Sequence, residues 1–140
     1  MMMKYLIDTN VLSEPVKTVP DQSALKMIEK HQHELVTAAP VWHELQFGCR
    51  RLPQSRKREV ISLFLDNVVK RTMPILPYDE RAAEWHARQR ARLSAKGMPP
   101  PFVDGQIAAI AAVNSLILVT RNMDDFKCFS KLKIEIWHGM

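Results

Sequence analysis

Asp8, Glu44, Asp104 and Asp125 lie far apart in the sequence, and three of them occupy a similar kind of place. Asp8 directly follows the apolar Tyr5-Leu6-Ile7. Asp104 opens the stretch in which Ile107, Ala108, Ile110 and Ala111 recur at helical spacing. Asp125, with Asn122 and Asp124, lies in the polar loop after Leu116-Ile117-Leu118-Val119. Glu44 sits within a helical pattern beside Leu45. Carboxylates that converge without cations raise one another's pKa and destabilise the fold. A hard cation removes that penalty, and an oxygen-rich, incompletely filled set of donors suits Mg²⁺ or Mn²⁺. Open sites of this kind activate water and stabilise phosphoryl oxygens during in-line displacement. In a chain of formal charge +5 and pI near 9.4, the matching substrate is a polyanion. Hydrolysis of nucleic-acid phosphodiesters is therefore the expected chemistry. Each residue also has a plainer reading: Asp8 and Asp104 as helix N-caps, Glu44 as a solvated helix residue, and the net charge as that of an ordinary basic protein.

For that chemistry to exist, the elements carrying these residues must share one edge. Leu116 to Val119 is apolar at every position, which suits a short strand covered on both faces, as in a parallel sheet. Tyr5 to Ile7 reads the same way, and Leu35 to Thr37 is a further short strand. Met73 to Leu76 is a weak one, demoted by Pro74. Lys133 to Trp137 alternates polar and apolar residues, so a half-exposed edge strand is expected there. Between them lie helical patterns. Val11 to Ser13 starts a helical turn, Pro15 to Pro20 connects, and Asp21 to His33 is amphipathic through Ala24, Leu25 and Ile28. Pro40 starts the helix that carries Glu44. Pro53-Gln54-Ser55 opens another, with Val60, Ile61, Phe64, Leu65 and Val68 as its apolar face. Asp79 to Lys96 forms a long helix closed by Gly97, and three prolines, Pro99 to Pro101, precede the helix of Asp104. Strands alternating with helices predict a parallel α/β sheet with helices on both sides. In such a sheet Asp8 and the Thr120–Asp125 loop fall at the C-terminal ends of their strands, where these folds place their sites.

The 140 residues, 46% of them apolar, fit one domain with a proper core, spanning residues 1–140. Cys49 and Cys128 are the only cysteines and lack metal-ligand spacing, so reduced thiols in a cytoplasm are expected. The apolar N-terminal run before Asp8 is too short for a signal segment or a membrane span.

Four segments together carry a family resemblance: YLIDTNVLSE, VWHELQFG around Glu44, FVDGQIAAIA and LVTRNMDDF. In order and spacing they resemble the PIN-domain ribonucleases, and most of all the VapC toxins of bacterial toxin–antitoxin pairs. The resemblance runs from about Lys4 to Trp137. It implies a PIN-like three-layer α/β/α fold with a central parallel sheet. It also implies an acidic triad of Asp8, Glu44 and Asp104 holding one or two Mg²⁺ or Mn²⁺ ions for endoribonuclease activity. The family's fourth, often acidic, position falls on Asn122, which is a departure, and Asp125 is expected to compensate as a metal ligand. Asn10 resembles the residue whose amide orients the first carboxylate or a bound water, with Thr9 and Thr120 in similar supporting roles. RNA as substrate, a VapB-like antitoxin and a homodimer follow from the same resemblance.

Two rivals stand beside this. An aspartyl-phosphate phosphatase also places an Asp after a first strand, but its second Asp serves as acid, and Asn10 occupies that place. A PIN domain weakened by Asn122 would instead be an inactive RNA- or antitoxin-binding module. His31 and His33 are two apart on a helix and make no zinc site. His43 and His86 are expected as packed or partly exposed side chains, and Trp42, Trp85 and Trp137 as core or interface residues. On the Asp79–Lys96 helix, Arg81, Arg88 and Arg92 form a stripe that is either solvated or able to steer RNA to the site.

Overall fold

The structure is a computed structural model and describes residues 2–140. Five short strands form one parallel sheet in the order β3-β2-β1-β4-β5: β1 (Tyr5–Ile7), β2 (Leu35–Ala38), β3 (Ile75–Leu76), β4 (Ile117–Val119) and β5 (Ile134–Glu135). Every side chain of β1 and β2 is buried, so helices cover both faces of the sheet. The expected three-layer α/β/α architecture is what forms.

The helices are α1 (Thr9–Leu12), α2 (Gln22–Lys30), α3 (Ala39–Arg50), α4 (Arg56–Phe64), α5 (Lys70–Thr72), α6 (Glu80–Ala95) and α7 (Phe102–Val113). Asp21, Ser55 and Asp79 cap α2, α4 and α6 by accepting the backbone N–H three residues on, and Gly97 ends α6 at φ 72°. Beyond its polar first turn, which carries Asp104 and Gln106, α7 is almost wholly apolar. Its residues Ile107 to Ala111 are buried without interruption, which makes it a core helix rather than an amphipathic one.

Two details differ from the sequence reading, and the place of Trp137 agrees with it. α2 ends at Lys30, so His31 and His33 lie in the turn beyond it and do not share a helix. Between α4 and α5, residues Leu65–Val69 form a π-helical turn. The wider turn shifts the phase beyond it, so Leu65 and Val69 are buried while Val68 faces outward; Val60, ahead of the turn, is exposed as well. Trp137, just past β5, is fully buried against Tyr5 and the His31 ring, so it belongs to the core. The C-terminal residues are tied down at the start of α2: Ser23 donates to the Trp137 carbonyl at 2.8 Å, and Met140 N–H donates to Ser23 Oγ at 3.0 Å.

Candidate active site

Connections leave β1 toward β2 and β3 on one side and toward β4 and β5 on the other. The C-terminal crevice between β1 and β4 is therefore the switch point of the sheet, where open α/β folds bind their ligands. Asp8 comes directly after β1. Its backbone N–H continues the ladder to the Val119 carbonyl at 2.9 Å, which fixes where its side chain emerges. One carboxylate oxygen accepts the Thr9 N–H at 2.8 Å, and the other accepts the Thr120 hydroxyl at 2.8 Å. Thr120 in turn accepts the Asn122 N–H at 3.2 Å. Asp8 is thus both the cap of α1 and a buried carboxylate at the crevice, so the two readings of it coexist.

Asp104 does not cap α7. Pro101 occupies that place without a side-chain hydrogen bond, and Asp104 is the third residue of the helix. What sets it is the contact behind it. The His86 ring of α6 lies so close to Gly105 that a Cβ there would fall 2.1 Å from Nε2. The Tyr78 hydroxyl lies 2.8 Å from His86 Nδ1, the Phe102 ring is 4.8 Å away by centroids, and the Arg90 guanidinium covers Phe102 at 5.3 Å. Burial first, and Arg90 second, hold the His86 pKa down, so this ring is a neutral packing element.

A cavity of about 270 Å³ is lined by Asp8, Thr9, Asn10, Glu44, Asp104, Ile107, Asn122, Asp125 and Phe126. No lysine, arginine or histidine lines it among the described residues. The electrostatics follow. Burial raises the Asp8 pKa against the lowering hydrogen bonds of Thr120 and Thr9, and Glu44 and Asp125 add to the rise. Asp104 is pushed up to about 6, by burial first and then by Asp125, Asp8 and Glu44 in turn. Asp8 and Asp104 are therefore raised by acidic neighbours, with no cation among the described lining residues to offset them. Among the described residues no three of these carboxylates stand close enough to form a finished cage. An open group of hard oxygen donors with unrelieved negative charge fits a divalent ion that keeps part of its water shell, which is the habit of Mg²⁺.

The sequence profile of the PIN domain matches residues 5–132. The chain belongs to the PIN-domain family. It is 30% identical over 135 residues to the VapC ribonuclease Y4jK of Sinorhizobium fredii, covering 94% of this chain and 96% of that one. It is 29% identical over 138 residues to the tRNA(fMet)-specific endonuclease VapC of Shigella flexneri, covering 97% and 99%. Its backbone matches the crystal structure of DNA-bound VapBC from Salmonella typhimurium with a TM-score of 0.83 at 26% identity, covering 97% and 99% of the two chains.

In this PIN domain the crevice gathers Asp8, Glu44, Asp104, Asn122 and Asp125, the residues expected from sequence as ligands. Asp124 stays outside, paired with Lys127 at 2.9 Å. Asn10 lines the cavity, and among the described residues its side chain makes no hydrogen bond to Asp8. Its side-chain oxygen accepts the Arg121 N–H at 3.1 Å and so ties the loop after β1 to the loop after β4. The arginine stripe is divided. Arg81 donates to the Val113 carbonyl and to Asn114 at the far end of α7, and Arg92 donates to Gln89 and the Cys128 carbonyl. Arg88 is exposed. The sequence reading had no signal for the Tyr78–His86–Phe102 packing that sets the start of α7. The one hint was glycine directly after the helix's acidic residue, which the close approach of His86 explains.

Proposed function

We propose that this protein is a Mg²⁺- or Mn²⁺-dependent endoribonuclease, acting as the toxin of a toxin–antitoxin pair. The observation that carries the reading is the cation-free crevice in which burial and acidic neighbours drive Asp104 up to about 6. Relatives bearing the names ribonuclease and endonuclease over nearly the whole chain support the same substrate class.

Asp8, Glu44, Asp104 and Asp125 would hold the metal, with Asn122 offering a neutral oxygen. A bound divalent ion supplies an activated water and stabilises charge on the phosphoryl oxygens. The chain's own part is to aim the donors. Thr120 and the Thr9 amide fix both oxygens of Asp8, and the His86–Gly105 contact fixes the turn bearing Asp104. Asn10, by joining the two loops, keeps Asn122 and Asp125 facing Asp8. The net charge of +5 draws RNA toward a crevice that would otherwise repel it, and exposed Arg88 is one candidate for that steering. A VapB-like antitoxin, a homodimer and a cytoplasmic setting complete the proposal. The similar fold of Salmonella VapBC, and of VapBC-5 of Mycobacterium tuberculosis from the VapBC family of toxin–antitoxin systems, supports the antitoxin partner.

The test is cleavage of single-stranded RNA by purified protein with Mn²⁺ or Mg²⁺, with a chelator, and with Asp8→Asn. Cleavage that needs metal and is lost in the folded variant is expected. A folded wild-type protein that binds RNA without cutting it under any metal would mean the inactive binding module instead.

A further inference from the structure

Beside the acidic crevice runs a second depression, of about 420 Å³, between α3 and the start of α7. Its walls include Glu44, Phe47, Gly48, Arg51, Val103 and Gln106. Residues 44, 47 and 48 of α3, with its C-cap Arg51, follow helical spacing and make a face that flanks the buried Val41, Leu45 and Cys49. Four properties of this face stand out. Phe47 is 58% exposed, unusual for an aromatic ring with a core close by. The Arg51 guanidinium lies 5.6 Å from the Phe47 ring centroid, and it has no hydrogen bond or ion pair among the described residues. Gly48 leaves a notch, since a Cβ there would meet nothing within 4 Å. Glu44 lines both this groove and the acidic crevice, so the two are continuous.

We propose that this groove is a subsite for one unstacked nucleotide of the RNA, its base against Phe47 and its phosphate on Arg51. The proposal rests on the ribonuclease reading and assigns the strand a direction of approach to the crevice. An aromatic face with a cation beside it is the chemistry that binds a single-stranded base and its backbone. The separation is suitable, because Arg51 is two turns beyond Glu44, about 10 Å along the helix, and so holds the strand without entering the metal site. Arg51 is the one cation in the groove's wall among the described residues, so a phosphate held there has a single charged partner. His43, whose ring lies edge-on to Phe47 at 6.5 Å, borders the base position.

The experiment uses a labelled single-stranded RNA oligonucleotide and full-length Asp8→Asn protein in chelator, with Kd measured against salt. Phe47→Ala is expected to raise Kd by about 5- to 150-fold, the range for loss of one stacked base. Arg51→Ala should lower the magnitude of the salt slope by about 0.7, the share of one phosphate contact on a single strand. Gly48→Leu should fill the notch and weaken RNA binding as Phe47→Ala does. Its unfolding midpoint should not fall, because Gly is a poor helix residue and the notch is open. If all three variants keep the parental Kd and slope, the subsite is overturned, which is also the result expected of a groove that holds a protein chain. The two readings fail differently. If wild-type protein cuts RNA and Asp8→Asn does not, yet the three variants bind normally, only the subsite falls. If wild-type protein does not cut RNA with either metal and the Asp8→Asn parent does not bind it, both fall.

Discussion

Two acidic clusters in this molecule have opposite fates. Glu14 and Asp21 lie near the C-terminal residues, and Asp8 and Asp104 lie at the crevice. Glu14 is almost wholly buried, and that burial alone would raise its pKa. The Lys17 ammonium, the Asp21 N–H at 2.7 Å and His138 overcome it and bring the group down to about 2. Asp21 is likewise lowered to about 2, first by the Ala24 N–H at 2.9 Å and then by the Ser23 hydroxyl at 2.7 Å. In the crevice the balance reverses: two donors reach Asp8, the other charged groups in the lining are acidic, and both carboxyls are raised. Where the chain supplies its own donors and cations, a carboxylate is structural. Where it gathers carboxylates and withholds cations, the charge is left for something from outside.

The largest expected effect is a crossed one. Asp104→Asn should cost cleavage at least about 100-fold while leaving the fold as stable or more so, because it removes a repelled charge. Glu14→Gln should do the reverse. It loses the ion pair with Lys17 and weakens the acceptor for Asp21, costing about 1–3 kcal/mol in unfolding while the folded protein cuts normally. Denaturant titration and single-turnover cleavage on the same preparations separate the two, and a shared pattern in both variants would erase the distinction.

A smaller effect is metal linkage. A cation that binds only the folded state at about 100 times its Kd adds roughly 2.7 kcal/mol. Millimolar Mn²⁺ should raise the unfolding midpoint of wild-type protein, do so less for Asp104→Asn, and do so fully for Glu14→Gln. Equal shifts in all three proteins would place the ion elsewhere.

The smallest effect is in pH. Asp104 has a folded pKa of about 6 against an ordinary 3.8, so between those values the folded state binds the proton more tightly. Its ionisation cost is fully present above about 6 and fades as pH falls toward 3.8. Glu14 and Asp21 run the other way: their contribution is intact above their ordinary values of 4.5 and 3.8 and is lost as pH falls through about 2. In chelator, the stability advantage of Asp104→Asn over wild type should therefore shrink between about pH 7 and about pH 4. A constant gap, read by thermal unfolding at both ends, would show that Asp104 does not sense its acidic neighbours.

The sequence carried the crevice further than it carried its surroundings. Leu116 to Val119 and Tyr5 to Ile7 are short, continuous and apolar, so their burial in a parallel sheet was legible, and with it the shared edge of Asp8 and Asp125. The π-helical turn was not legible, because one extra residue in a turn leaves no mark in a pattern that tolerates either phase, and Val68 was misplaced for that reason. Asn10, Arg81 and Arg92 were beyond reach for a different cause. Each finds its partner in a distant loop or helix end, and periodicity encodes which face a residue occupies but not what lies opposite.

The hydrogen bond from Thr120 to Asp8 joins residues 112 positions apart, and its consequence is one of timing. β1 is made first and sits at the centre of the sheet, but its partner β4 follows more than a hundred residues later. Pairings of such high sequence separation form late, because the loop must be closed before the contacts reward it. A partly folded chain holds Asp8 without the strand that aims it, so it carries the acidic residues but no working crevice. On refolding from denaturant, cleavage should return with the slowest structural phase and never ahead of it. A protein able to damage the RNA of its own cell is thus inert until its fold has closed.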